Sequence, residues 1–130
     1  MNDADMGNVK LTLTLQGREG AIGIRKNTYR VMGCPRYVSL RVSYQKNSLM
    51  LLPCESKDVM SYEAPKNFLS KQHINFRMYS QRFVQDLLRD NRLDLDSTYI
   101  LTGQFLEKHR TVVFPIDTAV LMNDELCDEQ

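Results

Sequence analysis

Residues 9–16 read Val-Lys-Leu-Thr-Leu-Thr-Leu-Gln. Val9, Leu11, Leu13 and Leu15 fall on one side of an extended chain, and Lys10, Thr12, Thr14 and Gln16 on the other. A period of two sustained this long predicts a strand with one buried face. Gly17-Arg18-Glu19-Gly20 supplies a turn, and Ile22 and Ile24, alternating with Gly23 and Arg25, start a second strand. Asn27 is then placed to cap a short helix over residues 28–32, with Gly33 as a left-handed exit and Pro35 to prevent continuation. From Tyr37 the alternation resumes, with Val38, Leu40, Val42 and Tyr44 on one side. A polar turn at 45–48 and an apolar run at 49–52, ended or set at an edge by Pro53, complete a hairpin.

Residues 55–71 are polar, contain Pro65, and read as a connection with a short helical piece near Asn67. Beyond them the pattern restarts. Ile74, Phe76 and Met78 alternate with Asn75, Arg77 and Tyr79, and Ser80 is a good N-cap. Phe83, Val84, Leu87 and Leu88 share one helical face. After a polar loop at 90–97, strands are expected at 99–106 and 111–114 around a turn at 107–110. The expected core is Val9, Leu11, Leu13, Leu15, Val38, Leu40, Leu51, Phe83, Leu87, Val113 and Phe114.

Two stretches share an order and a spacing. Tyr37 precedes Pro53 by 16 residues, and Tyr99 precedes Pro115 by 16. At that offset Val38 falls on Ile100, Lys46 on Lys108, Leu51 on Val113 and Glu55 on Asp117. Upstream, Ile22, Ile24, Asn27 and Tyr29 fall near Phe76, Met78, Gln81 and Phe83. Each stretch reads strand, cap, helix, hairpin, Pro, acid. The expectation is a mainly β chain with short helices, a single domain over residues 1–123 made of two pseudo-two-fold tandem units at about 9–55 and 72–117, followed by a frayed acidic tail at 124–130. Such a chain is either a monomer with internal pseudo-two-fold symmetry or a homodimer.

The stretch Ile22-Gly23-Ile24-Arg25-Lys26-Asn27-Thr28-Tyr29-Arg30-Val31-Met32-Gly33 resembles the AbrB family of bacterial transition-state regulators and antitoxins. Ile22, Ile24, Lys26, Met32 and Gly33 sit in register with that family's strand, basic residue and helix exit. Arg25 stands where the family usually has Pro, and Pro35-Arg36 replaces its Gly-Asp turn. A tandem pair in one chain is similar to the MraZ arrangement. The resemblance implies a swapped-hairpin barrel and DNA binding.

Composition sets further bounds. The 42% hydrophobic and 25% charged fractions are those of an ordinary folded domain. No apolar run reaches the roughly 18 residues of a membrane span, the first residues are polar, and three widely spaced cysteines suit a reducing compartment, so no membrane partner and a cytoplasmic location are expected. The formal charge of +1 hides an asymmetry: residues 6–123 hold all 17 cations and ten of the acids, a net +7, while the ends are acidic. A basic body suits a polyanion. Arg25, Lys26 and Arg30 bracket one strand–helix junction and Arg77 and Arg82 the other, so these five are the candidate nucleic-acid contacts. Among the tyrosines interleaved with them, Tyr62 and Tyr79 have no evident place in the strand pattern.

Catalytic chemistry is hard to find. His73 and His109 are the only histidines, and neither lies in a recognisable nucleophile–base arrangement. There is no Cys-x-x-Cys, no phosphate-binding Gly loop, and Asp90, Asp94 and Asp96 lack the Gly and distal Glu of a calcium loop. No enzyme, metal or cofactor is therefore expected. The leading expectation is a small DNA-binding transcriptional regulator from a bacterium, phage or mobile element. The alternative is a protein-binding module, such as an antitoxin-like or phage-encoded inhibitor.

Overall fold

The computed structural model describes residues 10–58, 60–72 and 75–122. Val9, His73, Ile74, the third cysteine, Cys127, and the acidic tail lie outside the described residues.

Alternation decides the first strands. β1 (Leu11–Gln16) buries Leu11, Leu13 and Leu15 while Thr12, Thr14 and Gln16 face outward. It turns through 17–20 into β2 (Ala21–Ile24), with Leu15 opposite Ile22 and Leu13 opposite Ile24. The turn is tight against its surroundings. Gly20 has φ +65°, and a Cβ there would lie 2.6 Å from Gln81 Cα. Helix α1 spans Lys26–Val31, with Arg25 rather than Asn27 at the N-cap. Asn27 is displaced into the first turn, where its Oδ1 accepts the Thr28 N–H at 2.8 Å. Gly33 makes the expected left-handed exit at φ +89°.

β3 (Tyr37–Ser43) and β4 (Ser48–Cys54) form the expected hairpin, with Leu40 opposite Leu51. Tyr44 does not join its inward face. The strand stops at Ser43, and Tyr44 is 83% exposed in the turn. The connection that follows holds an unexpected strand, β5 (Ser61–Glu63), which pairs with β3. Its turn at 66–70 buries Phe68. β6 (Phe76–Tyr79) pairs with β2, and α2 (Gln81–Asp90) follows from Ser80, which sits at the N-cap without a side-chain cap bond.

β7 (Thr98–Leu106) is the strand on which the sheet turns. Residues 98–103 pair with β1 and residues 104–106 with β8 (Thr111–Pro115). Gly103 stands at the changeover, where a Cβ would lie 2.5 Å from the Phe114 ring and 2.6 Å from the Val113 carbonyl oxygen. A side chain there would have to displace backbone. After β8 a 3-10 turn at Ile116–Thr118 shifts the chain, and β9 (Val120–Leu121) rejoins β7. Between them the Thr118 hydroxyl replaces a ladder partner, accepting from Thr102 N–H at 3.0 Å.

The resulting order is β5-β3-β4-β8-β7-β1-β2-β6, with β9 beside β7, all antiparallel. This is a mainly β, nearly closed barrel-like sheet with two helices. Between the end strands β5 and β6 no ladder forms among the described residues, but the Tyr62 hydroxyl meets the Tyr79 carbonyl oxygen at 3.5 Å.

One core fills the sheet and takes the apolar faces of both helices: Tyr29 from α1 with Met32 at its C-cap, and Val84, Leu87 and Leu88 from α2. Phe83 is only half-buried at its margin. Val113 is likewise half-buried, because Val112 and Phe114 take the inward alternation of β8 and its period of two sends Val113 outward. Leu87, 6% exposed, should cost about 2–5 kcal/mol on replacement by Ala. An unchanged denaturation midpoint for Leu87→Ala would remove it from the core.

Candidate nucleic-acid interface

The outward side of β1, β2 and β6 forms the floor of an open concavity. Thr14 lies opposite Gly23, and Gly23 opposite Arg77, so one cross-strand row runs Thr14–Gly23–Arg77. Gly23 contributes no side chain, which leaves a trough between its neighbours. Arg25, Lys26 and Asn27 wall one side at the start of α1, and Gln72, Asn75 and Met122 complete a space of about 660 Å³.

Three of the five candidate cations converge here. Arg25 and Arg77 are exposed and Lys26 is half-buried, its Nζ donating to the Lys71 carbonyl oxygen at 2.6 Å. Arg30 and Arg82 are exposed but do not line the concavity. Antiparallel pairing explains the loss of Arg82. Arg25 follows Ile24, which lies opposite Phe76, whereas α2 follows Tyr79, which lies opposite Ala21. The two strand–helix junctions therefore sit at opposite ends of the β2·β6 ladder, about 10 Å apart at 3.3 Å per residue, not side by side. Arg30 lies one turn along α1 from Lys26, beyond the rim.

The electrostatics are one-sided. Among the described residues the ion pairs are Arg36–Glu63, Arg41–Asp58 and Arg89–Asp86, and none involves Arg25, Lys26 or Arg77. Among the described residues one polar atom in the floor has no partner: Gln16 Oε1 is buried and accepts no hydrogen bond. A buried acceptor left unpaired costs about 1–3 kcal/mol.

Arg77 also borders a second, smaller cleft of about 340 Å³ with Glu63, Pro65, Asn75, Phe76 and Tyr79. That cleft is the seam between β5 and β6. It gives Tyr62 and Tyr79 a structural place: the first bridges the seam, and the second stands 60% exposed two residues beyond Arg77 on the same face.

Sequence reading did not select Gly23, Gln16, Asn75, Gln72 or Met122 as site residues. Strand alternation marked Thr14, Gln16, Gly23 and Asn75 as lying on the side away from the apolar residues; nothing local marked Gln72 or Met122. The Asp90–Asp96 run is a loop in which Asp94 accepts from the Ser97 hydroxyl and the Asp96 N–H, bonds that hold its carboxyl below the usual range. Among the described residues no group of three His, Cys, Asp or Glu is placed to hold a metal, and no helix is long and apolar enough to cross a membrane. Cys34 and Cys54 are free thiols.

No family model matches the chain, and comparisons with curated proteins and with solved structures find no significant match.

Proposed function

We propose that this chain is a non-enzymatic nucleic-acid-binding protein, a small DNA-binding regulator that holds the phosphate backbone with Arg25, Lys26 and Arg77. The observation that carries this is the convergence of three cations on one concavity without a carboxylate paired to any of them among the described residues. Cations left free at the surface can neutralise phosphates, and such contacts fix position rather than sequence. Lysine acylation with and without DNA tests it: Lys26 is expected to be protected and Lys46, in the β3–β4 turn, to react equally in both. Equal reactivity at Lys26 would contradict the assignment.

The same proposal includes a tandem, AbrB-like origin. Exchange β1 with β5, β2 with β6, β3 with β7 and β4 with β8, and six of the seven neighbouring pairings map onto pairings that exist. The seventh, β1 with β2, maps onto the seam. Met50 lies opposite Val113 and Leu51 opposite Val112, a register that survives exchange of positions 62 apart. Tyr37 and Tyr99, and Pro53 and Pro115, are also 62 apart. Ile22 lies opposite Met78 and Ile24 opposite Phe76, as an exchange of Ile22 with Phe76 and Ile24 with Met78 requires. Such a pairing scheme favours a monomer in which one chain supplies both halves of a swapped-hairpin barrel.

The outer edges of β5 and β6, between which no ladder forms among the described residues, favour a second reading, a module that binds a partner protein by strand addition.

A further inference from the structure

The floor of the concavity has a gap that the fold does not require. Gly23 is not in the left-handed region, and among the described residues a Cβ there would meet only Thr14 Cβ, at 3.8 Å, an ordinary contact. Strands favour β-branched residues at such positions, so glycine here keeps space open without relieving strain. Gln16 lines the same space, and its Oε1 is a buried acceptor with no partner among the described residues. The volume of about 660 Å³ falls in the range of small-ligand pockets, roughly 300–1,000 Å³. Cations stand on one wall, and across Arg77 an exposed tyrosine lies next in line on β6.

Resting on the reading that this face binds nucleic acid, we propose that the concavity admits one unstacked nucleotide, so that the ligand is a single strand rather than a duplex. Its phosphate meets Arg25, Lys26 and Arg77. Its base reaches over Gly23 and donates an amino or imino N–H to Gln16 Oε1. Every nucleobase carries such a donor; in a duplex the thymine imino N–H is engaged in pairing, and the amino groups of adenine, cytosine and guanine keep one hydrogen facing a groove, on bases that stay stacked and so do not enter the trough. Tyr79 offers a face on which the neighbouring base stacks, a contact common where single strands bind without strong sequence preference.

Anisotropy titrations of a labelled single-stranded 12-mer DNA and its duplex test this, using the full chain, Gly23→Val, Gln16→Met and Tyr79→Leu. The single strand is expected to bind at least about tenfold more tightly than the duplex. Gly23→Val should melt near the parent temperature yet lose that advantage, because its methyl groups fill the trough. If Gly23→Val does not fold, Gln16→Met carries the test, since it removes the unpaired atom at similar length and should weaken single-strand binding severalfold. Tyr79→Leu should weaken single-strand binding about tenfold. Duplex bound as well as single strand, or a folded Gly23→Val with unimpaired single-strand binding, would overturn the nucleotide pocket while leaving the basic face intact. No binding of either nucleic acid would overturn both.

Discussion

Phe76→Ala is expected to lower the unfolding free energy by about 3–5 kcal/mol, read from the shift in denaturation midpoint. Phe76 is 1% exposed and joins parts of the chain that have little else in common. Its ring meets Tyr29 of α1 at 6.1 Å and Phe68 of the 66–70 turn at 5.8 Å, both edge-on, and Tyr29 meets Phe68 at 5.3 Å. Edge-to-face pairs add about 0.5–1.5 kcal/mol beyond area burial. Tyr29 is fixed further by donating its hydroxyl to the Pro35 carbonyl oxygen at 2.6 Å, and burial, with Cys34 nearby, pushes its phenol above the usual range. Removing Phe76 leaves a cavity between a helix, a strand and a connection, which cannot all collapse together. Total stabilities of small domains are about 5–15 kcal/mol, so the variant would approach the edge of folding. A loss under about 1 kcal/mol would mean that the trio does not pin the connection.

The second large effect is on binding. Replacing Arg25 and Arg77 together with Ala should flatten the logarithmic salt dependence of nucleic-acid affinity by roughly 1.4–1.8, at about 0.7 per phosphate on single strands and 0.9 on duplex DNA. With three converging cations the parent slope is expected at about −2 to −3. Both arginines are exposed and free of ion pairs among the described residues, so their removal should spare the fold. Arg30→Ala and Arg82→Ala, off the concavity, should change the slope much less. An unchanged slope in the double variant, with binding retained, would move the phosphate contacts elsewhere.

How far the sequence could be read depended on the range of the signal. β1, the β3–β4 hairpin and α2 were legible because alternation and helical spacing persist for several residues within each. β5 was missed because three residues cannot display a period, and Ser61–Glu63 is specified by its pairing with β3. Val113 was placed inward with Phe114, although neighbours on a strand cannot both face the core. Asn27 suggested a cap, but α1 starts at Lys26 and a six-residue helix leaves little local signal to fix its ends. For the site, residue type marked five cations as candidates, of which Arg25, Lys26 and Arg77 line one concavity. Which of them meet depends on the β2·β6 register, which no local pattern encodes. Gly23 carried no signal of its own, since an empty trough exists only once Thr14 and Arg77 flank it.

The most direct test of the basic face is a titration of labelled DNA, single-stranded and duplex, with the full chain at low and moderate salt, its folding checked by circular dichroism. The account predicts saturable binding at low salt that weakens steeply as salt rises. A folded protein that leaves both probes free at low salt would contradict it.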